Sequence, residues 1–196
     1  MIHSFDPIAA PDARVLVLGT IPGRRSLEAG EYYAHPQNAF WFIMESLFAA
    51  RTGMDYAART ALLLGAQVAL WDVLQAADRI GSLDSAISPG SETPNDLAGF
   101  FVRHPSIHTI LFNGAKAQSL FARHVPGTLS PAAALRLIRL PSTSPANARL
   151  SREGKLAAWR AIPEALAAGI PGTHYYLSLR SPSNVQKRLR VTGGHA

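Results

Sequence analysis

The sequence contains no cysteine. That absence excludes a disulfide framework, a thiolate zinc site, an iron–sulfur cluster and a cysteine nucleophile together. No apolar run approaches the ~20 residues that cross a bilayer. The start, Met1-Ile2-His3-Ser4-Phe5-Asp6, lacks the basic and apolar stretches of a secretory signal. The expectation is a cytoplasmic protein with no membrane partner. Charged residues are sparse at 16%, whereas 47% are hydrophobic, which provides a core and excludes global disorder. Acidic residues are missing altogether from Ala165 to Ala196, where Arg180, Lys187, Arg188 and Arg190 supply +4 of the net +6. Residues 1–164 hold 15 basic and 13 acidic groups and so carry +2. A basic end on a nearly neutral body suits the phosphates of a nucleic acid, and equally a solvated tail. Seven histidines without paired ligand spacing give no metal site, and no cofactor fingerprint is present. The length of 196 residues fits one domain, expected over 1–170 and monomeric, with a basic extension over 171–196.

Four apolar, β-branched runs read as strands: Arg14–Gly19, Gln67–Asp72, His108–Asn113 and Leu135–Leu140. Between them lie helical patterns. From Phe40 the apolar positions fall at offsets 0, 1, 3, 4, 7 and 8, one face of a helix. Tyr56 to Leu64 reads as a second helix, ended by Gly65. Thr93-Pro94 has the form of an N-cap followed by a first helical proline, opening a helix over Leu97–His104. Gly114 opens another through Phe121, and Ser151 caps a last one carrying Leu156, Trp159 and Ile162. Ser82–Pro94 reads as a loop, and His174–Leu179 as a stray strand. Strands alternating with helices define an α/β domain with a mostly parallel sheet, whose ligands bind beyond the strands' carboxyl ends.

The segments at those ends carry the chemistry. Gly19-Thr20-Ile21-Pro22-Gly23-Arg24 is a short loop whose backbone N–H groups and arginines suit a phosphate. It has neither the Gly-Lys-Ser/Thr ending nor the glycine spacing of the nucleotide-binding fingerprints. Tyr32, Tyr33, His35, Asn38, Phe40 and Trp41 crowd into a loop entering a helix. Aromatic faces there can stack on a planar base, and an amide can orient water. Asn38 can equally cap the helix, and His35 can brace its loop. Pro141-Ser142-Thr143-Ser144 offers three hydroxyls on a stiff loop, a geometry suited to phosphodiester oxygens.

Together these residues resemble the uracil-DNA glycosylase superfamily. Gly19-Thr-Ile-Pro-Gly23 and Leu140-Pro-Ser-Thr-Ser-Pro-Ala146 look like its two signature motifs. Tyr33-Ala-His-Pro-Gln-Asn-Ala-Phe-Trp41 and Leu70-Trp-Asp-Val-Leu74 are similar to motifs of its hypoxanthine-DNA glycosylase branch. The resemblance covers roughly Arg14 to Ile162. It implies a three-layer αβα sandwich around a four-stranded parallel sheet. It implies a monofunctional enzyme of base excision repair, without a cofactor, acting on single- or double-stranded DNA. Such an enzyme flips out a deaminated base, hypoxanthine first and then uracil or xanthine, and leaves an abasic site.

The resemblance also distributes roles. The catalytic Asp or Asn of many members is replaced by Ile21, and the His or Asn opening the last motif by Leu140. The functional asparagine of the hypoxanthine branch matches Asn38. Base contacts fall to Gly19, Thr20, Ile21, Tyr33, Phe40, Trp71 and Asp72, and DNA contacts to Pro22, Gly23, Arg24, His35, Pro141, Ser142, Thr143 and Ser144. Asp72 stays open between base contact and structure, as a helix cap or a partner for Arg79. Two other readings remain: a module that binds damaged or single-stranded DNA without cutting it, and a nucleotide-binding α/β enzyme outside DNA repair.

Overall fold

The protein is represented by a computed structural model that describes residues 1–51, 53–125 and 135–168. The extension over 171–196 and the strand expected at His174–Leu179 lie outside these residues. The four expected strands are present: β2 (Val15–Gly19), β3 (Val68–Asp72), β6 (Thr109–Asn113) and β7 (Arg136–Leu140). They form one parallel sheet in the order β3-β2-β6-β7. β2, β3 and β6 are buried along their whole length, which is why they read as unbroken apolar runs rather than alternating ones. Register pairs Gly19 with Asp72 and Asn113 with Leu140, so all four carboxyl ends finish at one rim.

Helices flank this sheet. α3 (Tyr56–Gly65) packs on β3, α5 (Ala115–His124) on β6 and β7, and α7 (Ala161–Ala167) on β2. α2 (Phe40–Leu47) lies against α3 and α6 (Arg152–Trp159). Phe40, Phe112, Phe121 and Trp159 are fully buried among the aliphatic residues of the sheet. Among the described residues no helix is long and apolar enough to cross a membrane.

Several elements depart from expectation. Helix α1 (Arg24–Ala29) begins inside the first loop. A small antiparallel sheet, β1 (Ile2–His3), β4 (Leu74–Ala77) and β5 (Thr93–Pro94), occupies segments read as terminus and loop. Thr93 is therefore not a helix cap. It pairs with Ala76, and the edge position tolerates the missing N–H of Pro94. The cap of α4 (Leu97–Arg103) is Asp96, whose carboxylate accepts from Gly99 N at 2.9 Å. α3 runs through Gly65 rather than ending before it. The expected last helix is two. Ser151 does cap α6, accepting from Gly154 N at 3.1 Å, but Pro163 has no N–H to return to Trp159, and the chain restarts as α7.

Candidate functional site

The carboxyl rim of the sheet opens into a cavity of about 670 Å3. Its walls are the first loop, the Tyr32–Asn38 segment, residues 82–84 and the Ser142–Asn147 turn. The loops are cross-braced. Ala39 N donates to Thr143 O at 3.0 Å, which ties the aromatic segment to the last loop. Asn113, at the end of β6, uses both ends of its amide on Thr143: Oδ1 accepts from Thr143 N at 2.8 Å, and Nδ2 donates to Thr143 Oγ1 at 2.9 Å.

Tyr33 adopts φ +56°, a left-handed backbone that a bulky side chain rarely accepts. The conformation lays its ring over Phe40, centroids 4.1 Å apart and planes at 26°. Its other side faces the cavity. The Tyr33 hydroxyl is buried and has no hydrogen-bond partner among the described residues. Burial, then the nearby Asp72, push its ionisation well above the usual tyrosine range. Gly19 makes this approach possible. A Cβ there would overlap the Asp72 carboxylate and lie 2.9 Å from the Tyr33 hydroxyl oxygen.

Asp72 lines the cavity while being almost wholly buried. Ser4 Oγ donates to its Oδ2 at 2.8 Å, and Asn95 Nδ2 donates to its main-chain oxygen at 2.9 Å. Burial pushes the carboxyl up to about 7; Asp84 adds to the rise, while the Ser4 bond and Arg79 oppose it. Asp72 caps no helix, and the ion-pair partner of Arg79 is Asp84, at 3.7 Å.

Asn38 lies on the cavity wall at the entry to α2. Its Oδ1 accepts from Phe40 N at 3.0 Å. The N-cap of α2 is Ala39, so this bond is an Asx turn just ahead of the helix: it fixes the rotamer, and the carbonyl oxygen retains a second lone pair. His35 behaves similarly. Its Nδ1 accepts from Gln37 N at 3.1 Å, which leaves Nε2 as a donor on the cavity side. Gly19, Thr20, Ile21, Pro22, Gly23 and Arg24 all line the cavity.

Three expected contact residues lie outside the cavity lining. Trp71 points away from the cavity, because neighbours in a strand face opposite sides and Asp72 takes the cavity side. The Trp71 Nε1 donates to Phe5 O at 3.0 Å, and its ring packs on Phe100. Phe40 is fully buried and supports Tyr33 from behind instead of meeting a base. Thr143, by contrast, lines the cavity although its side chain is fully buried, its hydroxyl accepting from Asn113 Nδ2 so that it braces the last loop. Pro141 lies outside the cavity lining, its carbonyl accepting from Trp159 Nε1 at 3.0 Å. Ser142 and Ser144 do face the cavity. Each Oγ accepts from the N–H two residues on, at 3.2 Å, leaving its own O–H to donate.

Sequence reading missed three contributors. Ser4 and Asp84 reach the site only through tertiary folding, from a terminus and from a segment read as loop. Burial also raises the Asp84 carboxyl. Lys155 on α6 is the third. It is buried, its Nζ donates to Ser144 O at 2.9 Å, and burial alone lowers its pKa. No residue spacing marked any of them.

A family model described as the uracil DNA glycosylase superfamily matches residues 7–166. A protein of Methanosarcina acetivorans named hypoxanthine DNA glycosylase is 31% identical over 169 residues, which covers 82% of this chain and 96% of that protein. One of the same name from Methanosarcina barkeri is 32% identical over 116 residues, covering 59% and 72%. A solution NMR structure of a Methanosarcina acetivorans protein, assigned as a candidate uracil DNA glycosylase, superposes with a TM-score of 0.66 at 28% identity. That match covers 82% of this chain and 98% of the other.

Proposed function

The chain belongs to the uracil DNA glycosylase superfamily, and from that membership we propose that it is a monofunctional DNA glycosylase that removes a deaminated base, hypoxanthine before uracil or xanthine. The names of the Methanosarcina relatives support the base preference. The observation that carries the mechanism is the Asn38 amide, clamped by Phe40 N–H on the wall of a cavity shared with Tyr33 and Asp72.

A base turned out of the duplex stacks on the open face of Tyr33, which Phe40 stiffens from behind. The N9–C1′ bond breaks with its electron pair leaving on the base, and the sugar acquires oxocarbenium character. Asp72, its carboxyl pushed up to about 7, keeps its proton in a substantial share of molecules near neutrality, and in that form donates a hydrogen bond to the departing purine, lowering its basicity. The second lone pair of Asn38 Oδ1 holds a water against C1′. That water adds to the sugar and gives up its proton to solvent. An amide is too weak a base to do more than position it, and beside a forming cation positioning suffices. Ser142, Ser144 and His35 hold the flanking phosphates, whose charge faces the cationic sugar.

The test is alkaline cleavage of labelled duplex DNA carrying hypoxanthine, uracil, xanthine or a thymine mismatch. Hypoxanthine should be released fastest. Asn38→Ala should lower single-turnover excision by about 100-fold while duplex affinity changes only a few-fold. Asn38→Ser keeps an acceptor for Phe40 N–H, so it preserves the turn ahead of α2, and should still lose excision. Turnover by Asn38→Ala equal to the parent's defeats the assignment. Ile21 and Leu140, apolar where many relatives carry polar catalysts, favour one other reading: a module that binds without cutting. Tight binding with no abasic product would select it.

A further inference from the structure

We propose that Ser4 is a positioning residue for base release: its hydroxyl occupies one oxygen of the Asp72 carboxyl, so that the acid proton sits on the other oxygen, the one on the cavity side. The inference rests on the glycosylase reading above and deepens it, giving the first strand a part in the chemistry. Its starting point is that the two oxygens of Asp72 are unlike. Ser4 Oγ donates to Oδ2 at 2.8 Å. The other acceptor within its reach is Phe5 O, at 3.5 Å, so the carboxyl takes the hydroxyl's proton. Ser4 does not line the cavity, which places Oδ2 on its far side. Oδ1 lies over Gly19, in the space a Cβ would fill, together with the Tyr33 hydroxyl. That hydroxyl makes no hydrogen bond, so it does not take up Oδ1. A protonated carboxyl has one O–H to donate. With Oδ2 accepting from Ser4, that O–H belongs to Oδ1.

Ser4 is held in place by bonds that do not use its side chain. β1 pairs with β4, Ile2 opposite Ala77 and His3 opposite Ala76, and Ser4 N donates to Gln75 O at 2.8 Å. The next carbonyl, Phe5 O, accepts from Trp71 Nε1 at 3.0 Å and from the Tyr32 hydroxyl at 3.3 Å. The Phe5 ring meets that of Tyr32 edge-on, centroids 5.2 Å apart. Trp71 and Asp72, neighbours at the end of β3, therefore grip consecutive residues of one segment. Trp71 fixes the carbonyl of Phe5, and Asp72 receives the hydroxyl of Ser4. Trp71 thereby contributes to the site although it points away from the cavity: it anchors the donor that orders its neighbour.

The titratable groups that face Asp72 are Tyr32 and Tyr33 from the aromatic segment, and Arg79 and Asp84 from the segment after β4. Arg79 and Asp84 lie 3.7 Å from each other and act on the carboxyl in opposite directions. Ser4 is the neighbour that bonds the carboxyl directly. A hydrogen bond donated to a carboxylate favours its ionised form. Ser4 thus loosens the proton somewhat while fixing where it sits. The two effects are separable in a pH profile. The hold on the proton sets the pH at which excision falls, and its placement sets the height of the plateau below that pH.

Ser4→Ala removes the hydroxyl and leaves the backbone pairing of β1 intact. In single-turnover excision of hypoxanthine from a labelled duplex, its low-pH plateau should fall about tenfold, the loss of one oriented donor. The midpoint of the falling limb should nevertheless move to higher pH, because losing a bond to a charged acceptor lowers the acid dissociation constant of Asp72 about tenfold. Ser4→Thr keeps a hydroxyl and should restore both. The carboxyl carbon of Asp72, followed by 13C NMR in the protein without DNA and assigned by its absence from Asp72→Asn, should show the same move in Ser4→Ala. A lower plateau with an unmoved midpoint, unrescued by Ser4→Thr, overturns the proposal and leaves Ser4 a brace of the fold. A plateau that rises also overturns it, since Ser4 would then have held the proton on Oδ2, away from the base. An NMR midpoint that moves as expected in a parent that releases no base from any lesion defeats the glycosylase reading and not the hold of Ser4 on Asp72.

Discussion

Asp72 shows how burial converts an ordinary carboxyl into one that titrates near neutrality. Unfolded, it ionises near 3.8; in the folded site it is pushed up to about 7. The folded protein therefore keeps a proton that the unfolded chain releases between those values. The group's contribution to stability is complete below about pH 4 and is lost as pH rises through about 7. Asp72→Asn keeps an acceptor for Ser4 and removes the charge. It should melt higher than the parent at pH 8, with the gap closing toward pH 4. Chemistry should follow the same proton. Parent excision should fall as pH rises through about 7, and Asp72→Asn should flatten that limb; a rate that climbs with pH would show that the ionised carboxylate acts instead. Asp72 was visible in the sequence because it ends a strand within a recognisable motif. Its neighbour Trp71, in the same motif, was misread, because a fully buried strand does not announce which face each residue takes. Phe40 was misread for a related reason. An aromatic beside a site can touch the ligand or support the residue that does, and only packing decides.

At the level of elements, the four strands were legible because buried parallel strands are short, β-branched and bounded by glycine or polar turns. α2, α3 and α5 were legible from periodicity and punctuation. The β1–β4–β5 sheet was not, since two- to four-residue strands leave no period to read. The break between α6 and α7 was readable in principle from Pro163. The bracing of the Pro141–Asn147 loop was partly hidden. Its serines and prolines stand out, but no spacing marks the ammonium of Lys155 that is buried behind it. Lys155 has no carboxylate within ion-pair distance among the described residues and reaches only Ser144 O. A seated phosphate would supply the missing negative charge. Lys155→Met should weaken duplex affinity several-fold and make the slope of log K against log salt shallower by about 0.9, the loss of one phosphate contact. Lys155→Arg should restore much of that slope. A lower melting temperature with unchanged salt dependence would reduce Lys155 to a loop brace.

For the whole molecule, parallel topology does the gathering. Gly19, Asp72, Asn113 and Leu140 are far apart in sequence, yet register brings all four to one rim, and the segments that follow β2, β3 and β7 supply walls of the same cavity. Charge is distributed differently. The body, residues 1–164, is close to neutral, and most of the net positive charge follows it. Site chemistry and long-range attraction to DNA should then be separable. Removing residues 171–196 leaves the span 7–166 that matches the superfamily, so the shortened protein should fold and melt as the parent does. Its excision rate at saturating DNA should be unchanged, because the cavity residues are all retained. What should change is encounter. Arg180, Lys187, Arg188 and Arg190 can each release counterions, so the salt slope should become shallower by about 0.9 for every one that meets a phosphate. Affinity at low salt should fall, and the two proteins should converge as salt is raised. Measuring binding to an undamaged duplex of the same length checks the origin of the effect. An electrostatic tail should weaken damaged and undamaged DNA alike, whereas a loss confined to hypoxanthine DNA would place the tail at the lesion. Identical slopes for the two proteins would remove the tail from DNA binding altogether.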